Sequence, residues 1–453
     1  MSSVGRSLES VKLGEFIKDL GRRAQAASVA EKQALLQELI DGCSRLALGR
    51  GRGEPKPSLA LSSRWQCSRC GADRAAEFNY SGCYERTVVF SDGEAVVRIP
   101  RVRCRCGGNV RPDFGAGLPR RKRLWYDVRC ETVSLHVEGC SYRGISRVLA
   151  HRGVAVGPTS LAGQLREFAA VDINAGVMGD SARALSLDGA FFRLGTQSRA
   201  QLYVHEVLAR EKPLVRAGKP VAWYRTGKVL SCILAAEESL AGWEAALEET
   251  VTAGWVDAQA PVWVVSDGNR GLLSAVDMQL PWSIRQRCTW HIAYRARNRV
   301  VAADKDEFEH SVLWVFNAPD VVSACGRLDS FVKRRGDTEP EAVKSVLEKF
   351  EQGIEYLKHS ERKLRPRTVG ISERYNQEVK RLLKPMRAFG NEQSMLATTR
   401  LIALRHNCIL DHKDWLTHAI DSVWNQPLLP SIAVQQQHQQ QSPTTPPYTI
   451  GGT

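Results

Sequence analysis

The chain has 453 residues, too many for one small domain; at about 150 residues per domain, about three are expected. Hydrophobic residues make up 43% and charged residues 25%, a balance that supports buried cores. No apolar run approaches the roughly 20 residues that cross a bilayer, and MSSVGRSLESVKLGEF lacks the basic-then-apolar pattern of a secretory signal. A membrane or secreted protein is therefore not expected. A cytoplasmic one, associated with the nucleoid if the source is bacterial, is.

Sixty-three Lys and Arg against 49 Asp and Glu leave a net charge of +14. Such an excess suits a polyanion, because each neutralised phosphate releases condensed counterions. Residues 101–129 hold nine Arg or Lys against two Asp, and residues 362–387 hold nine against two Glu. The first stretch contains the run Arg120, Arg121, Lys122 and Arg123. Both point to nucleic acid as the partner.

Residues 1–58 read as an N-terminal amphipathic helical region, as in SVAEKQALLQELIDGCSRLAL, ending in the linker-like GRGRGEPKP. Residues 59–118 hold a C-x-x-C, Cys67 and Cys70, and a C-x-C, Cys104 and Cys106, with 33 residues between the pairs. Without an export signal these thiols are expected to be reduced. Two thiolate pairs on tight turns are what one tetrahedral structural Zn²⁺ requires. Gly71, Gly107 and Gly108 let the backbone fold round a metal. The intervening YERTVVFSDGEAVVRIPRVR alternates apolar and polar residues around Asp92-Gly93, which predicts a hairpin. Knuckles bracketing a hairpin make a zinc ribbon; four ordinary buried thiols are the competing reading. Cys83 is left without a role.

Residues 119–175 carry helix-length stretches at 123–138, 142–150 and 157–169, broken at Gly139, Gly153 and Gly157-Pro158. Pro158, Thr159 and Ser160 suit a helix start. The pattern predicts a DNA-binding helix-turn-helix with 157–169 as recognition helix; a plain three-helix unit is the alternative.

From residue 183 the texture changes. ALSLDGAFFRL, AQLYVHEVLA and VLSCILAAEE read as strands. SLAGWEAALEETVTAGW has helical spacing, VWVVSDG is a short buried strand, NRGLLSAVDMQL a helix and SIRQRCTWH a further strand. Three strands, a helix, a strand, a helix and a strand is the order of a ribonuclease-H-like mixed sheet. The fold class expected is thus an α/β core, with residues 176–291 as its first part, an all-helical insertion at 292–365 and a last part at 366–430. Residues 431–453, with QQQHQQQSPTTPP, are low in complexity and expected to be disordered.

Asp188 lies in the first of these strands and Asp267 just past the fourth, each followed by Gly. Neighbouring strands would bring the two carboxylates together, and two anions side by side raise each other's pKa. A divalent cation removes that penalty, and two of them about 3.5–4 Å apart serve phosphoryl transfer. A third carboxylate is expected from a later helix. ISERYNQEVKRLLKPMRAF offers Glu373, with Asn376 on the same face and Glu378 pointing elsewhere. Arg367, Arg374, Lys380, Arg381, Lys384 and Arg387 would hold DNA phosphates over the metals. Cys288 and His291 form a C-x-x-H, too few ligands for a zinc site by themselves.

The segment SDGNRGLLSAVDMQLPWSIRQRCTWHIAYRARNRV resembles the signature of Mutator-like transposases and the related bacterial insertion-sequence transposases. That group carries an acid in an LDG-like context, a second in SDG, then C-x-x-H, a helical insertion and a Glu. The corresponding positions here are Asp188, Asp267, the Cys288/His291 pair, residues 292–365 and Glu373. ISERYNQEVK resembles the family's segment around the Glu, including the Asn three residues on. The resemblance covers about residues 183–410. It implies a DDE transposase in which water attacks an element end and the freed 3′ hydroxyl then attacks target DNA. Asp188, Asp267 and Glu373 would bind two Mg²⁺ or Mn²⁺, with Cys288, His291 and Asn376 in support. Two ends held together imply a homodimer or higher oligomer on DNA. A regulator with an inactive core and a structure-selective nuclease of the same fold are the alternatives.

Overall fold

The structure is a computed structural model that describes residues 28–48, 65–72, 77–111, 124–174, 182–216, 219–301, 304–359, 365–386 and 389–424. The linker after residue 48, the basic run Arg120–Arg123, Arg387 and the tail 431–453 lie outside the described residues. Among the described residues no helix is long and apolar enough to cross a membrane.

Helix α1 (Val29–Leu48) lies on a four-stranded antiparallel sheet. Its strands are β1 (Gln66–Cys67), β2 (Phe78–Phe90), β3 (Gly93–Cys104) and β4 (Asn109–Arg111), in the order β1-β4-β3-β2. The expected hairpin forms around Asp92-Gly93, with Phe90 paired to Gly93. Along β3 the buried Ala95, Val97 and Ile99 alternate with exposed Glu94, Val96 and Arg98, the two-residue period of a half-buried strand. Leu36 and Ile40 of α1 complete that core. At the hairpin tip the buried Lys32 ammonium joins Asp92 at 2.7 Å and Asp127 at 3.0 Å. It thereby ties α1, the hairpin and the next helix together.

Helices α2 (Tyr126–Val137), α3 (Tyr142–His151) and α4 (Pro158–Leu165) follow. The last is shorter than its sequence pattern suggested, since Arg166–Ala170 tightens into a 3-10 turn. Leu165 and Phe168 there are buried in the main core with helix α13 (Glu392–Leu410), so packing ends the regular helix. Pro158, Thr159 and Ser160 stay exposed.

The second sheet has five strands in the order β7-β6-β5-β8-β9. They are β5 (Ala184–Leu194), β6 (Gln197–Arg216), β7 (Lys219–Ala235), β8 (Trp263–Ser266) and β9 (Ile284–Arg287). The first three pair antiparallel, while β8 runs parallel to both β5 and β9. Each parallel crossover carries a helix: α5 (Leu240–Thr252) and α6 (Arg270–Gln279). Trp243, Leu247, Leu272 and Val276 from these helices pack on Leu185, Leu187, Leu202 and Val264. By strand alternation Ser186, Asp188 and Ala190 face the opposite side, where helix α12 (Gly370–Leu383) and α13 lie.

SIRQRCTWH is only half strand. Pairing stops at Arg287, and Cys288 caps helix α7 (Thr289–Arg297), its carbonyl accepting the Ile292 N–H at 3.1 Å. The helical region therefore begins at Thr289 rather than residue 292. It continues through α8 (Lys305–Phe316), α9 (Val321–Arg335), α10 (Pro340–Leu347) and α11 (Phe350–Gly353). These helices share their own core, including Phe308, Phe316, Phe331, Val346 and Phe350. Buried Gln286 clamps its far end to β9: Nε2 donates to the Gly353 carbonyl at 2.8 Å and Oε1 accepts the Tyr356 N–H at 2.9 Å. A final helix, α14 (Trp415–Trp424), packs on α13.

Candidate active site and cysteine cluster

Topology brings the carboxylates together where the central strand β5 and its neighbour β8 lie side by side. Asp188 is on β5, and Asp267 follows β8, the parallel neighbour in which Leu187 pairs with Ser266. Glu373 sits in the first turn of α12, which crosses the face that Asp188 points to. The docking of α12 is specific. Ser372 exchanges a hydrogen bond with Ser186 at 2.7 Å and lies 3.1 Å from His205 Nδ1, all fully buried. Ser372 thus fixes Glu373 against a residue two positions from Asp188.

Asn376 shares the inner face of α12, as the three-residue spacing predicts. Its Nδ2 donates to Asp188 Oδ2 at 2.7 Å, and its Oδ1 has no hydrogen-bond partner among the described residues. Asp188 is pushed up to about 8, chiefly by burial and then by Glu373, Asp267 and Glu238. Burial likewise raises Glu373 above the ordinary carboxylate value. Among the described residues, the only three or more potential ligands whose donor atoms all lie within 4.8 Å are the cysteines. The acids form a wider rim.

The two Asp-Gly pairs have a steric cause. A Cβ on Gly189 would lie 2.0 Å from Glu238 Oε1, so Gly189 is the space into which that carboxylate fits. A Cβ on Gly268 would lie 1.6 Å from Arg287 Nη1, and its φ of +77° also favours glycine. Each glycine lets a charged side chain from another element lie beside an Asp. Asn269 completes the loop: its N–H reaches Asp267 Oδ1 at 2.9 Å, its Oδ1 caps α6 at Gly271, and its Nδ2 reaches Glu238 Oε2 at 3.3 Å.

Glu238 and Arg295 are the residues that sequence reasoning missed. Glu238 follows β7 and is raised by burial and by Asp267. Only the fold brings it here. Arg295 had a readable signal, since it lies one helical turn after His291. Its Nη2 holds Asp267 Oδ2 at 2.6 Å.

His291 Nε2 lies 3.6 Å from Glu373 Oε1, and burial lowers its pKa. Cys288 is buried between Val265 of β8 and Val369 at the start of α12. Burial pushes its thiol up to about 11 although the His291 and Val369 N–H groups approach it. It therefore joins the strand that leads to Asp267 to the helix that carries Glu373, as an uncharged core group. Of the basic residues, Arg374, Lys380, Arg381 and Lys384 are exposed along α12 and the turn after it. Arg367 is half-buried and lies 5.7 Å over the Tyr356 ring.

At the other end of the chain Cys67, Cys70, Cys104 and Cys106 converge, with every Sγ within 4.8 Å of the others. Cys67 and Cys106 are 3.5 Å apart and Cys70 and Cys104 3.6 Å. Tetrahedral Zn–S bonds of about 2.3 Å imply edges of about 3.8 Å, so four thiolates placed like this can hold a metal ion. The N–H groups of Cys70 and Arg69 bring the Cys67 thiol down to about 6. Gly71 and Gly107 adopt φ of +75° and +82°, and a Cβ on Gly108 would fall 2.6 Å from Cys67 Sγ. Cys83 is exposed and apart from the cluster.

Residues 205–415 match the family described as Transposase, Mutator family. That span contains Asp267, Cys288, His291 and Glu373, and begins after Asp188. The transposase for insertion sequence element ISRM5 of Rhizobium meliloti (strain 1021) is 22% identical over 390 residues, 85% of this chain and 87% of the relative. The transposase for IS256 in transposon Tn4001 of Staphylococcus aureus is 22% identical over 344 residues, 74% and 82% of the two chains. That for IS905 of Lactococcus lactis subsp. lactis (strain IL1403) is 24% identical over 326 residues, 70% and 76%.

Proposed function

We propose that this chain, a relative of the Mutator-family insertion-sequence transposases, is itself a DNA transposase that cuts element ends and transfers the freed strand to target DNA. The supporting observation is the placement of Asp188, Asp267 and Glu373 on two parallel neighbouring strands and a helix pinned across them by Ser372. The order of the five strands and the two crossover helices support a ribonuclease-H-like core.

The donors at the rim are carboxylate oxygens, which suit hard cations such as Mg²⁺ or Mn²⁺. Asp188 among three other acids is a group that a cation would stabilise. When bound, two such ions activate the attacking oxygen and stabilise the leaving one. Asp188, Asp267 and Glu373 would hold them. Asn376 orients the Asp188 carboxylate through its 2.7 Å hydrogen bond. Glu238, held by Asn269, adds charge to the same rim. Arg374, Lys380, Arg381 and Lys384 position the phosphodiester, so the protein's main contribution is alignment.

The cysteine quartet suits one structural Zn²⁺ in a ribbon. Helices α2–α4, with the exposed start of α4, would serve as a helix-turn-helix reading the element end. Two ends must be cut in concert, which calls for a dimer or larger assembly on DNA.

The test is a cleavage and joining assay in Mg²⁺ or Mn²⁺, on DNA carrying the sequence that flanks the gene, with wild type and Asp267→Ala. Defined 3′ cuts and joined products from wild type alone support the transposase. Specific binding without cuts in either metal indicates a regulator with an inactive core. Cutting of branched DNA without joining indicates a structure-selective nuclease.

A further inference from the structure

Helix α7 buries Ile292, Ala293 and Ala296. One turn apart on its open side, Trp290 and Tyr294 lie face to face, with ring centroids 5.1 Å apart and planes within 10°. Both are 38% exposed. Large apolar rings left in solvent cost free energy unless something covers them. The pair stands directly at the acidic rim. The Trp290 ring meets the His291 ring edge-on at 4.9 Å, and His291 Nε2 is 3.6 Å from Glu373. Arg295, next to Tyr294, reaches Asp267. Flat aromatic faces beside arginines, at the mouth of a site for phosphodiester chemistry, match the two elements of single-strand recognition. These are stacking surfaces for bases and cations for the backbone.

We propose that Trp290 and Tyr294 form a stacking platform for an unpaired base of the DNA strand whose phosphate is held at Asp188, Asp267 and Glu373. The inference rests on the transposase reading and adds a binding site to it. A strand drawn down to the acidic rim departs from the duplex path, and a base next to the cut loses its stacking partner. The indole and phenol faces replace that partner, and they do so for any base, because every base has a π-face.

The experiment compares the full chain with Trp290→Ala, Trp290→Phe and Tyr294→Ala. Each is given two DNA ends that differ only in whether the base pairs next to the cut are matched or mismatched. Trp290→Ala is expected to cut the matched end about 5- to 150-fold more slowly, to recover most of that rate on the mismatched end, and to keep its thermal melting point. Trp290→Phe stays near wild type. Equal rates for Trp290→Ala and wild type on both ends would overturn the platform, as would equal slowing on both. A second readout does not need catalysis. With Ca²⁺ in place of Mg²⁺, 2-aminopurine beside the cut should be quenched by the wild-type chain and less so by Trp290→Ala and Tyr294→Ala. If wild type cuts neither end yet this quenching difference persists, the catalytic reading fails and the platform stands. Unchanged quenching in both variants removes the platform.

Discussion

Arg295 and Asp267 form an ion pair of 2.6 Å between helix α7 and the loop after β8. The guanidinium thus holds a carboxylate that the proposed chemistry needs for a metal ion. Arg295 is 43% exposed and Asp267 19%, so the pair is partly screened and worth less than about 1 kcal/mol. Under the proposed function Arg295 would compete with the cation for Asp267 and would be free to turn to a phosphate once the cation is in place. Arg295→Gln should lower the Mn²⁺ concentration giving half-maximal thermal stabilisation about 2- to 5-fold, while slowing cleavage. An unchanged Mn²⁺ midpoint would show that Arg295 does not compete for the site.

Asp188 gives the metal-free chain a pH dependence whose sign is fixed. Its folded pKa, about 8, lies above the ordinary carboxylate value of 3.8. Between those two values the folded form keeps a proton that the unfolded chain has released. The associated stability is therefore present at low pH and is lost as pH rises toward 8. Asp188→Asn removes the penalty. In EDTA at pH 7.5 it should be more stable than wild type by on the order of 2–4 kcal/mol, measured by urea unfolding. The same variant should fail to cut DNA. A variant no more stable than wild type at pH 7.5 would mean that burial and the neighbouring acids do not raise Asp188 as described.

The cysteine cluster is tested best at a residue that is not a ligand. Gly108→Ala would place a methyl 2.6 Å from Cys67 Sγ and 2.8 Å from Arg69 Cβ. The thiols cannot then close on an ion. Purified wild type should carry about one zinc per chain, and both Gly108→Ala and Cys67→Ser should lose it. Gly107→Asn, at φ +82° with only the Arg69 tip nearby, should keep it, because Asn tolerates that region. Zinc retained in Gly108→Ala would exclude a four-cysteine site closed as described.

Legibility from sequence followed the range of the interactions. The strands around Asp188 and Asp267 were readable because short apolar, β-branched runs are a local signal, and the four cysteines because their C-x-x-C and C-x-C spacing is local. The end of β9 was not. The stretch SIRQRCTWH carries no local stop signal after Arg287, whereas in the fold the pairing ends at Ser266 and Arg287 and Cys288 caps α7. Glu238 was unreadable for a different reason. In AAEESL it looks like an acid before a helix start, and its position depends on Gly189, 49 residues earlier on another strand. Cys288 could be flagged by its spacing from His291. Its contact with Val265 and Val369 needed the packed core.

The same dependence on a distant glycine gives a test of how Glu373 is positioned. Gly227 of β7 faces the start of α12, and a Cβ there would come within 2.5 Å of Ile371 Cγ2 and 3.1 Å of the Glu206 carbonyl. Ile371 is two residues before Glu373, so the methyl pushes on the turn that carries the carboxylate. Overpacking of this kind costs about 1–3 kcal/mol, and a shift of about 1 Å in a catalytic group costs about 100-fold in rate. Gly227→Ala should therefore fold, bind DNA and cut about 100-fold more slowly. Adding Ile371→Ala makes room for the methyl and should restore most of the rate, although it removes buried side-chain volume of its own. A double variant as slow as Gly227→Ala alone would mean that the methyl acts through its other contacts, His205 Cβ at 3.0 Å and the Glu206 carbonyl at 3.1 Å, rather than through Ile371.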